Sequence, residues 1–599
     1  MKHPIEQIRH TLAHVMATAV QQLYPDTKFG IGPIIDNGFY YDFDSSHKFT
    51  EADFIDIEKR MRQIIQDKIA VEHIYKPADE AIDENKASGQ IYKVELLEEI
   101  KKGDRLAITD VDIEQQKDGN LSFYKIGEFS DLCKGPHVEN TGDLPKDGFK
   151  LTHVAGAYWR GKETNPMMQR LYALAFETKK KLDEHLVLVE EAKKRDHRLI
   201  GQALDLFVFS DLVGKGLPLF TEKGSIIRRE LERYIVDEEL RRGYKHVYTP
   251  EIAKVDLFKK SGHYPYYKDS MYPVMKVDEE ELILRPMACP HHFQLYSNKP
   301  RSYRELPIRY AELAKYFRYE KSGELTGLMR VRLFCLADAH IICRPDQAVG
   351  EVNSVLDLIE DVSRTLGLIK GENYQYRLSL GDRGDDNKKY FKDDTAWNDA
   401  EEIMRKVLID RKAPFYEAKG EAAFYGPKID IQMRNFVGKE DTAFTVQYDF
   451  VMPKKFELTY IDSDGKNKEA VVIHRSSIGA IERVMAFLIE HYAGAFPVWL
   501  SPVQATVIPI SDKQKDFAQK VHDELIKAGI RSKLNDANET LGKRIREDEM
   551  QKIPYLLVIG DKEIEAEAVA VRQRGKGDLG QIAINKFISQ LQEEIKEKR

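Results

Sequence analysis

Between Glu177 and Asp205 the sequence ETKKKLDEHLVLVEEAKKRDHRLIGQALD is charged, glycine-poor and periodic, the composition of a helical connector. A solvated helix of this kind cannot sit inside one core, so it divides the chain. A second boundary falls at Phe496-Pro497-Val498-Trp499-Leu500-Ser501-Pro502, a proline-punctuated turn. At roughly 100–200 residues per domain, 599 residues suit about three to five domains. The predicted segments are residues 1–176, a helical linker at 177–205, and regions at 206–498 and 499–599.

Each segment has its own pattern. Residues 5–24 place apolar side chains at helical spacing behind Pro4, and FGIGPIIDNGFYYDF reads as a hairpin turning at Asn37-Gly38. A helix over 51–67 and short strands to about 160 make this region α+β. From 206 to 498, strand-like runs alternate with helices such as 224–242 and 346–365 without βαβ repetition, which predicts a mainly antiparallel sheet flanked by helices. Beyond Pro502, QATVIPI, RSKLN, PYLLVIG and AVAVRQ alternate with helices as a compact α/β domain.

Composition excludes several classes. Hydrophobic residues make up 42% and charged residues 32%, enough for several cores and against wholesale disorder. No run approaches the ~18 apolar residues a membrane span needs. The start MKHPIEQIRH has no apolar signal core and carries Glu6, which predicts a cytoplasmic protein. Four cysteines, Cys133, Cys289, Cys335 and Cys343, cannot staple so long a chain. The 92 basic and 99 acidic residues leave a net charge of -7, so any polyanion must be held by local basic stripes. Residues 501–599 hold 18 Lys+Arg and 17 Asp+Glu, net +1, which leaves -8 for the rest.

Three groups of residues carry chemistry. His10 and His14, four apart, project from one face of the first helix, and Asp131-Leu-Cys133-Lys-Gly-Pro-His137 supplies a thiol and an imidazole in a turn. Together they could close a tetrahedral zinc site or form a hydrolytic pocket without metal. Arg285-Pro-Met-Ala-Cys289-Pro-His-His292, Asp338-Ala-His340 and Val471-Val-Ile-His474 each bring one soft or borderline ligand in or beside a strand-like run. Three such ligands would leave zinc an open position. Finally, Ala314–Glu320 and Gly327–Phe334 read as two antiparallel strands with Arg318 and Glu320 on one face, suited to a phosphate or carboxylate and a purine amino group. Arg483 opens an apolar helix further on.

Taken together these segments resemble the threonyl-tRNA synthetases. Phe317-Arg-Tyr-Glu320 is similar to motif 2 of class II aminoacyl-tRNA synthetases, Gly479-Ala-Ile-Glu-Arg483 to motif 3, and Gly243–Pro250 to the motif 1 that builds a dimer interface. The set Cys289, His340 and His474 narrows the class to threonine, and H-x-x-x-H with D-x-C-x-G-P-H resembles that family's editing domain. The resemblance implies an α+β editing domain at 1–176, a class II antiparallel sheet flanked by helices at 206–498 and an α/β anticodon-binding domain at 499–599. It implies ATP-dependent attachment of L-threonine to tRNA(Thr) through a threonyl-adenylate, by a homodimer with one Zn²⁺ per subunit and Mg²⁺ with ATP, and removal of serine from mischarged tRNA.

Carried over by position, the resemblance gives zinc to Cys289, His340 and His474 and the threonine hydroxyl to Asp338. Arg318 would contact the α-phosphate and the carboxylate, Glu320 and Phe334 the adenine, and Arg483 the γ-phosphate. Tyr425 and Gln447 would line the pocket, with Gln447 also on the ATP side, and His263 would stand near the acceptor end of tRNA. His10, His14, Lys93, Asp131, Cys133 and His137 would form the editing pocket, and Asn538, Arg546, Glu563 and Arg572 would read the anticodon. The chain departs from the pattern in opening almost directly on the His10 helix, without a preceding ubiquitin-like domain. It also departs at Leu333, Cys335 and Leu336, where Gly, Thr and Gln are usual, and at His291, where Gly is common.

Overall fold

The computed structural model describes residues 3–102, 120–162, 164–384 and 389–599. They form two compact units, Met1–Val189 and Glu190–Arg599. Among the described residues no helix is long and apolar enough to cross a membrane.

In the first unit the periodic N-terminal segment forms helix α1 (Ile5–Leu23). Its Ile8, Leu12, Val15 and Met16 are buried in one core with Phe39, Tyr41, Phe43 and Leu171 of an antiparallel sheet. That sheet is built on β1 (Gly38–Asp44), with further strands named below. The hairpin predicted here exists, but its turn is Asp36-Asn37, since Ile35 pairs with Gly38 and Ile34 with Phe39. Asn37 takes the left-handed conformation at φ 62°, which its short polar side chain tolerates. Gly38 is needed for a different reason: a Cβ there would lie 1.9 Å from the Ala173 carbonyl oxygen.

The predicted short strands to 160 are accompanied by two helices, Ala78–Ala87 and α2 (Ile91–Lys102). Residues 103–119 of that reading lie outside the described residues. A second sheet pairs β2 (Asn120–Ile126) antiparallel with both Val71–Pro77 and β3 (Phe129–Leu132). The first sheet is completed by β4 (Phe149–Tyr158) and β5 (Met167–Ala175), with β5 between β1 and β4. The connector is helical as predicted, α3 (Lys179–Lys194) followed by α4 (His197–Ala203).

The second unit holds an eight-stranded sheet. Its order runs Lys245–His246, β6 (Ile308–Phe317), β7 (Leu333–Cys343), β10 (Val471–Ala480), β9 (Glu440–Asp449), β8 (Lys428–Arg434), Tyr374–Leu380, Phe415–Lys419. Only the outermost pair at each end is parallel; the rest is antiparallel, as the absence of βαβ repetition implied. The helices that matter below are α5 (Glu222–Arg241), α6 (Val255–Ser261), α7 (Cys289–Tyr296) and α8 (Ile481–Tyr492).

Two expectations for this region change. Gly327–Arg332 is loop rather than strand, and β7 begins only at Leu333. Cys289 is not beside a strand: it opens α7, whose Phe293 and Tyr296 pack with Met452, Phe456 and Leu458.

After the Pro-punctuated turn, β11 (Ala505–Pro509) lies between β12 (Ser532–Leu534) and β13 (Tyr555–Ile559), both parallel to it. Antiparallel strands β14 (Ala568–Gln573) and β15 (Gly577–Ala583) extend the sheet. The last was not anticipated, because GDLGQIA has glycines where a strand pattern wants apolar residues. Val507, Leu557, Val571 and Phe587 give this part its own core.

Candidate active sites

Register assembles the first site. His340 on β7 sits directly opposite His474 on β10, and His474 opposite Gln447 on β9. The three therefore share one row and one face of the sheet. Asp338, two residues before His340, joins that face. Helix α7 lays Cys289 over the row, and one donor atom from each of Cys289, His340 and His474 lies within 4.8 Å of the others.

The hydrogen bonds determine which ring nitrogens are free. Glu312 accepts from His292 Nε2 at 3.1 Å, so His292 Nδ1 must be the acceptor in its 2.8 Å contact with His340 Nδ1. His340 Nε2 is then a lone pair, buried and without a hydrogen-bond partner among the described residues. His474 Nε2 is tied to Asp449 Oδ2 at 2.7 Å, leaving Nδ1. Asp449 is fixed in turn by the backbone N–H groups of Val451 and Met452. Two imidazole lone pairs and a thiol, each backed by a carboxylate-ended chain or a helix terminus, could serve as the donor set and outer shell of a three-ligand metal site.

Charges around the site are strongly biased. Burial works against Glu312, yet hydrogen bonds from His292 and Thr249 and the charge of Arg285 hold it down at about 2. Burial pushes Asp338 above the ordinary carboxylate range, partly offset by the hydrogen bond it accepts from Tyr316. Burial likewise pushes the Cys289 thiol well up and the His340 imidazole well down. His340 is thus neutral, as a ligand must be.

Tyr425 stacks on the His474 ring at 4.9 Å and donates to Gln447 Oε1 at 2.5 Å. His263 is buried and its pKa is lowered to about 3, by burial first and then by the fields of His474, Lys455 and Arg318. Ser261 Oγ donates to the Phe258 carbonyl at 3.0 Å, so in its 2.6 Å contact with His263 Nδ1 it accepts. The proton sits on Nδ1, and Nε2 is a buried lone pair without a hydrogen-bond partner among the described residues.

Arg318 lies beyond the end of β6, its guanidinium over the Phe334 ring at 5.2 Å and its Nε 3.4 Å from the Pro286 carbonyl. Glu320 does not share that face as predicted. It pairs with Arg330 at 2.8 Å, because the strand ends at Phe317 and the period-two alternation ends with it. Arg483, from α8, donates to the carbonyls of Thr442 at 2.7 Å and Met329 at 3.2 Å. Leu336 packs with Ala288, Ala314 and Tyr316, so its apolar side chain fills a corner there. His291 is buried beside Phe258, and nothing in the structure explains why it is a histidine.

The second site lies in the first unit. Cys133 Sγ is 3.1 Å from His10 Nε2 and 3.2 Å from His137 Nε2, and His14 packs on both imidazoles. Thr11 Oγ1 donates to Gln7 O at 2.8 Å and therefore accepts from His137 Nδ1, placing that ring's lone pair toward the thiol. Burial is the leading cause that lowers His14 and His137 well below the ordinary value. It also pushes Cys133 up to about 12. Lys93 from α2 forms an ion pair with Asp131, which also accepts from Tyr41. His10, His14, Lys93, Asp131 and Cys133 line a cavity of about 310 Å³, with His137 behind them.

In the C-terminal region Asn538 and Arg546 are exposed, the latter on the helix Leu541–Met550. Glu563 caps a short helix at Gly560 N, and Arg572 on β14 lies 3.8 Å from Glu549. Sequence reasoning missed His292, Glu312, Tyr316, Asp449, Tyr41 and Thr11. Only His292, beside the CP pair, carried a visible signal.

A sheet of this topology with ligand-bearing strands and Arg483 at the head of an apolar helix defines a class II aminoacyl-tRNA synthetase. Residues 272–492 match the tRNA synthetase class II core domain (G, H, P, S and T), residues 504–594 the anticodon binding domain, and residues 121–172 the threonyl and alanyl tRNA synthetase second additional domain. The threonine–tRNA ligase of Halalkalibacterium halodurans is 46% identical over 595 residues, 99% of this chain and 89% of that one. The threonine–tRNA ligase of Staphylococcus carnosus is 48% identical over 597 residues, with the same coverage. A solved RNA binding domain of threonyl-tRNA synthetase from Cryptosporidium parvum superposes with a TM-score of 0.63 at 34% identity, over 66% of this chain and 98% of that one. The chain belongs to the threonine–tRNA ligase family.

Proposed function

We propose that the chain activates L-threonine with ATP as threonyl-adenylate, transfers it to tRNA(Thr), and hydrolyses seryl-tRNA in the cavity of its first unit. The observation that carries the reading is the row of His340, His474 and Gln447 across three strands, with Cys289 above it and Asp338 beside it.

In this reading Cys289, His340 and His474 would hold one zinc, which would supply Lewis acidity toward the amino group and hydroxyl of the amino acid. Asp338, held by Tyr316, accepts a hydrogen bond from the hydroxyl, and Tyr425 with Gln447 closes the pocket. Losing that hydroxyl leaves buried polar groups unpaired, which rejects valine by about 10⁴–10⁵. Arg318 neutralises the α-phosphate and the attacking carboxylate, Arg483 the γ-phosphate, and Phe334 and Glu320 hold adenine, with Mg²⁺ accompanying ATP. Glu320 must leave Arg330 to do so. His263 Nε2 takes the proton from the tRNA hydroxyl in the transfer step.

Serine shares the hydroxyl and lacks one methyl, worth only about 10–200-fold. The second cavity supplies the remainder. His10, His14 and His137, all with lowered pKa, position water against the seryl ester, and Lys93, paired with Asp131, orients the substrate. Residues 1–176 act as the editing region, 177–205 as connector and 499–599 as the anticodon reader through Asn538, Arg546, Glu563 and Arg572. In this reading the chain works as a homodimer with the 243–250 segment at the interface, where Tyr248 is 95% exposed.

An amino-acid-dependent ATP–pyrophosphate exchange panel tests the activation step and its amino-acid specificity. Threonine should lead, serine should follow within about 10–200-fold and valine should be silent; another amino acid in first place would overturn it.

A further inference from the structure

The connector contributes a side chain to the second unit that none of the roles above uses. Asp196 caps α4 by accepting the Arg198 N–H at 2.8 Å, and this sets His197 at the first helical position. The His197 ring is almost completely buried. Its Nδ1 lies 2.7 Å from Glu490 Oε1, on the last turn of α8, and its Nε2 lies 3.1 Å from the backbone N of Leu328. A backbone N–H only donates, so Nε2 is the acceptor and the ring proton is on Nδ1, directed at Glu490.

Both partners belong to the site. Leu328 lies in the 318–332 loop that follows Arg318 and Glu320, and the next residue, Met329, gives its carbonyl to Arg483 Nε. Glu490 shares α8 with Arg483. Arg195 adds two bonds to the carbonyls of Glu490 and His491, satisfying the C-terminal end of the same helix. The loop is shaped to receive the ring: Gly327 has φ +46°, and a Cβ there would fall 2.1 Å from His197 Nε2. On this side the loop borders a cavity of about 400 Å³ lined by His197, Arg198, Arg330, Asp441, Arg483 and Glu490. Leu328 is itself buried in the main core, so the hydrogen bond from its N–H to His197 fixes the backbone orientation of a segment that packing and the Met329–Arg483 contact also hold.

We infer that His197 is a positioning residue of the ATP site: its Nε2, through the Leu328 N–H, sets the 318–332 loop against the helix that carries Arg483. The inference rests on the reading of that loop and Arg483 as the ATP site. It does not invoke contact between His197 and substrate.

The two ring nitrogens can be tested separately in the full-length protein. Glutamine places an amide oxygen where Nε2 was and can accept from Leu328, whereas asparagine reaches only the Nδ1 position and restores the Glu490 contact. In threonine-dependent ATP–pyrophosphate exchange, His197→Ala and His197→Asn should raise KM for ATP about tenfold, the loss of one well-placed hydrogen bond. His197→Gln should return to within about threefold, and KM for threonine should hold in all three. Rescue by asparagine but not glutamine would overturn the inference, as would an equal rise in both KM values accompanied by a lower Tm, or no change at all. Arg318→Ala serves as the control on the underlying reading. If that variant binds ATP normally, the assignment of the site fails; if it fails to bind ATP while the His197 variants are normal, only the positioning role falls.

Discussion

The molecule buries two clusters of the same residue types, and the groups behind their donor atoms differ. Around Cys289, His340 and His474, each outer ring nitrogen ends in a carboxylate, Asp449 or Glu312 by way of His292, so each inner nitrogen is a lone pair turned on a common point. Around His10, His14, Cys133 and His137 no outer nitrogen meets a carboxylate among the described residues: His137 Nδ1 meets a threonine hydroxyl, and the thiol is shared between two imidazoles. The nearby carboxylate, Asp131, is taken by Lys93 and Tyr41. A carboxylate behind an imidazole makes it a better metal ligand. Its absence leaves the ring neutral and polar, which suits handling water. Ligand identity does not distinguish the clusters; the shell behind the ligands does.

The largest test of this contrast removes one thiol from each. Cys289→Ala should lose metal by elemental analysis, and with it the threonine-over-valine preference of about 10⁴–10⁵. Cys133→Ala should keep full metal content and threonine activation. Metal lost from the Cys133 variant would mean that both clusters are metal centres.

Next in size is the hydrolytic reaction. His10→Ala/His14→Ala should slow deacylation of preformed seryl-tRNA by about 10²–10⁴ while amino-acid activation continues. A chelator that abolishes activation should leave wild-type deacylation unchanged. Chelator-sensitive hydrolysis would erase the distinction drawn above.

Much of this was legible before any coordinates. The His10/His14 face needs only helical period, and the antiparallel sheet follows from missing βαβ repetition. The ligand chemistry of Cys289, His340 and His474 was visible, but spacing alone could not bring them together. Their convergence depends on the β7–β10 register and on a helix carrying Cys289, neither of which is encoded locally. The outer shell was invisible for the same reason: Glu312 reaches His340 only through His292, across two strands and a helix. Glu320 was misplaced because strand alternation was extended one turn of the pleat past Phe317. His197 looked like one more polar residue in a charged connector, since nothing local says that a loop 131 residues away will offer it an N–H.

The outer shell can be weakened without touching a ligand. Glu312→Gln keeps an acceptor near His292 but removes the charge, so His292 presents its lone pair to His340 less firmly. Metal affinity should fall about 10–100-fold in competition with a chelator. Threonine activation should fall only when free metal is limiting, and added zinc should restore it. No equivalent manipulation should affect the first unit, where Thr11→Val would disturb deacylation without any dependence on metal. A zinc-rescuable Thr11→Val defect would contradict the comparison.

The smallest effect is on stability, and its sign follows from burial. His14 and His137 are held neutral in the folded first unit, with pKa values well below the ordinary 6.5 that they regain on unfolding. His10 shifts in the same direction, also led by burial. Between the folded and unfolded values the unfolded chain binds more protons, so stability rises with pH there. The contribution is complete above about pH 6.5 and is lost as pH falls below it. Ordinary carboxylates titrate near 4, so the window from about 6.5 to 5 belongs to imidazoles: in the first unit these three together with the less buried His153 and His185, which burial shifts the same way. In the proposed zinc-bound form His340 and His474 are held by the ion and do not titrate in this window. Thermal unfolding of the full-length protein, followed through Trp159 in the first unit, should therefore shift down by a few degrees between pH 7.5 and 5.5, at about 2–4 °C per kcal/mol for a unit of this size. His14→Gln/His137→Gln should flatten that slope even if it lowers Tm at every pH. A slope unchanged in the double variant would place the acid sensitivity elsewhere and deny the first cluster its neutral character.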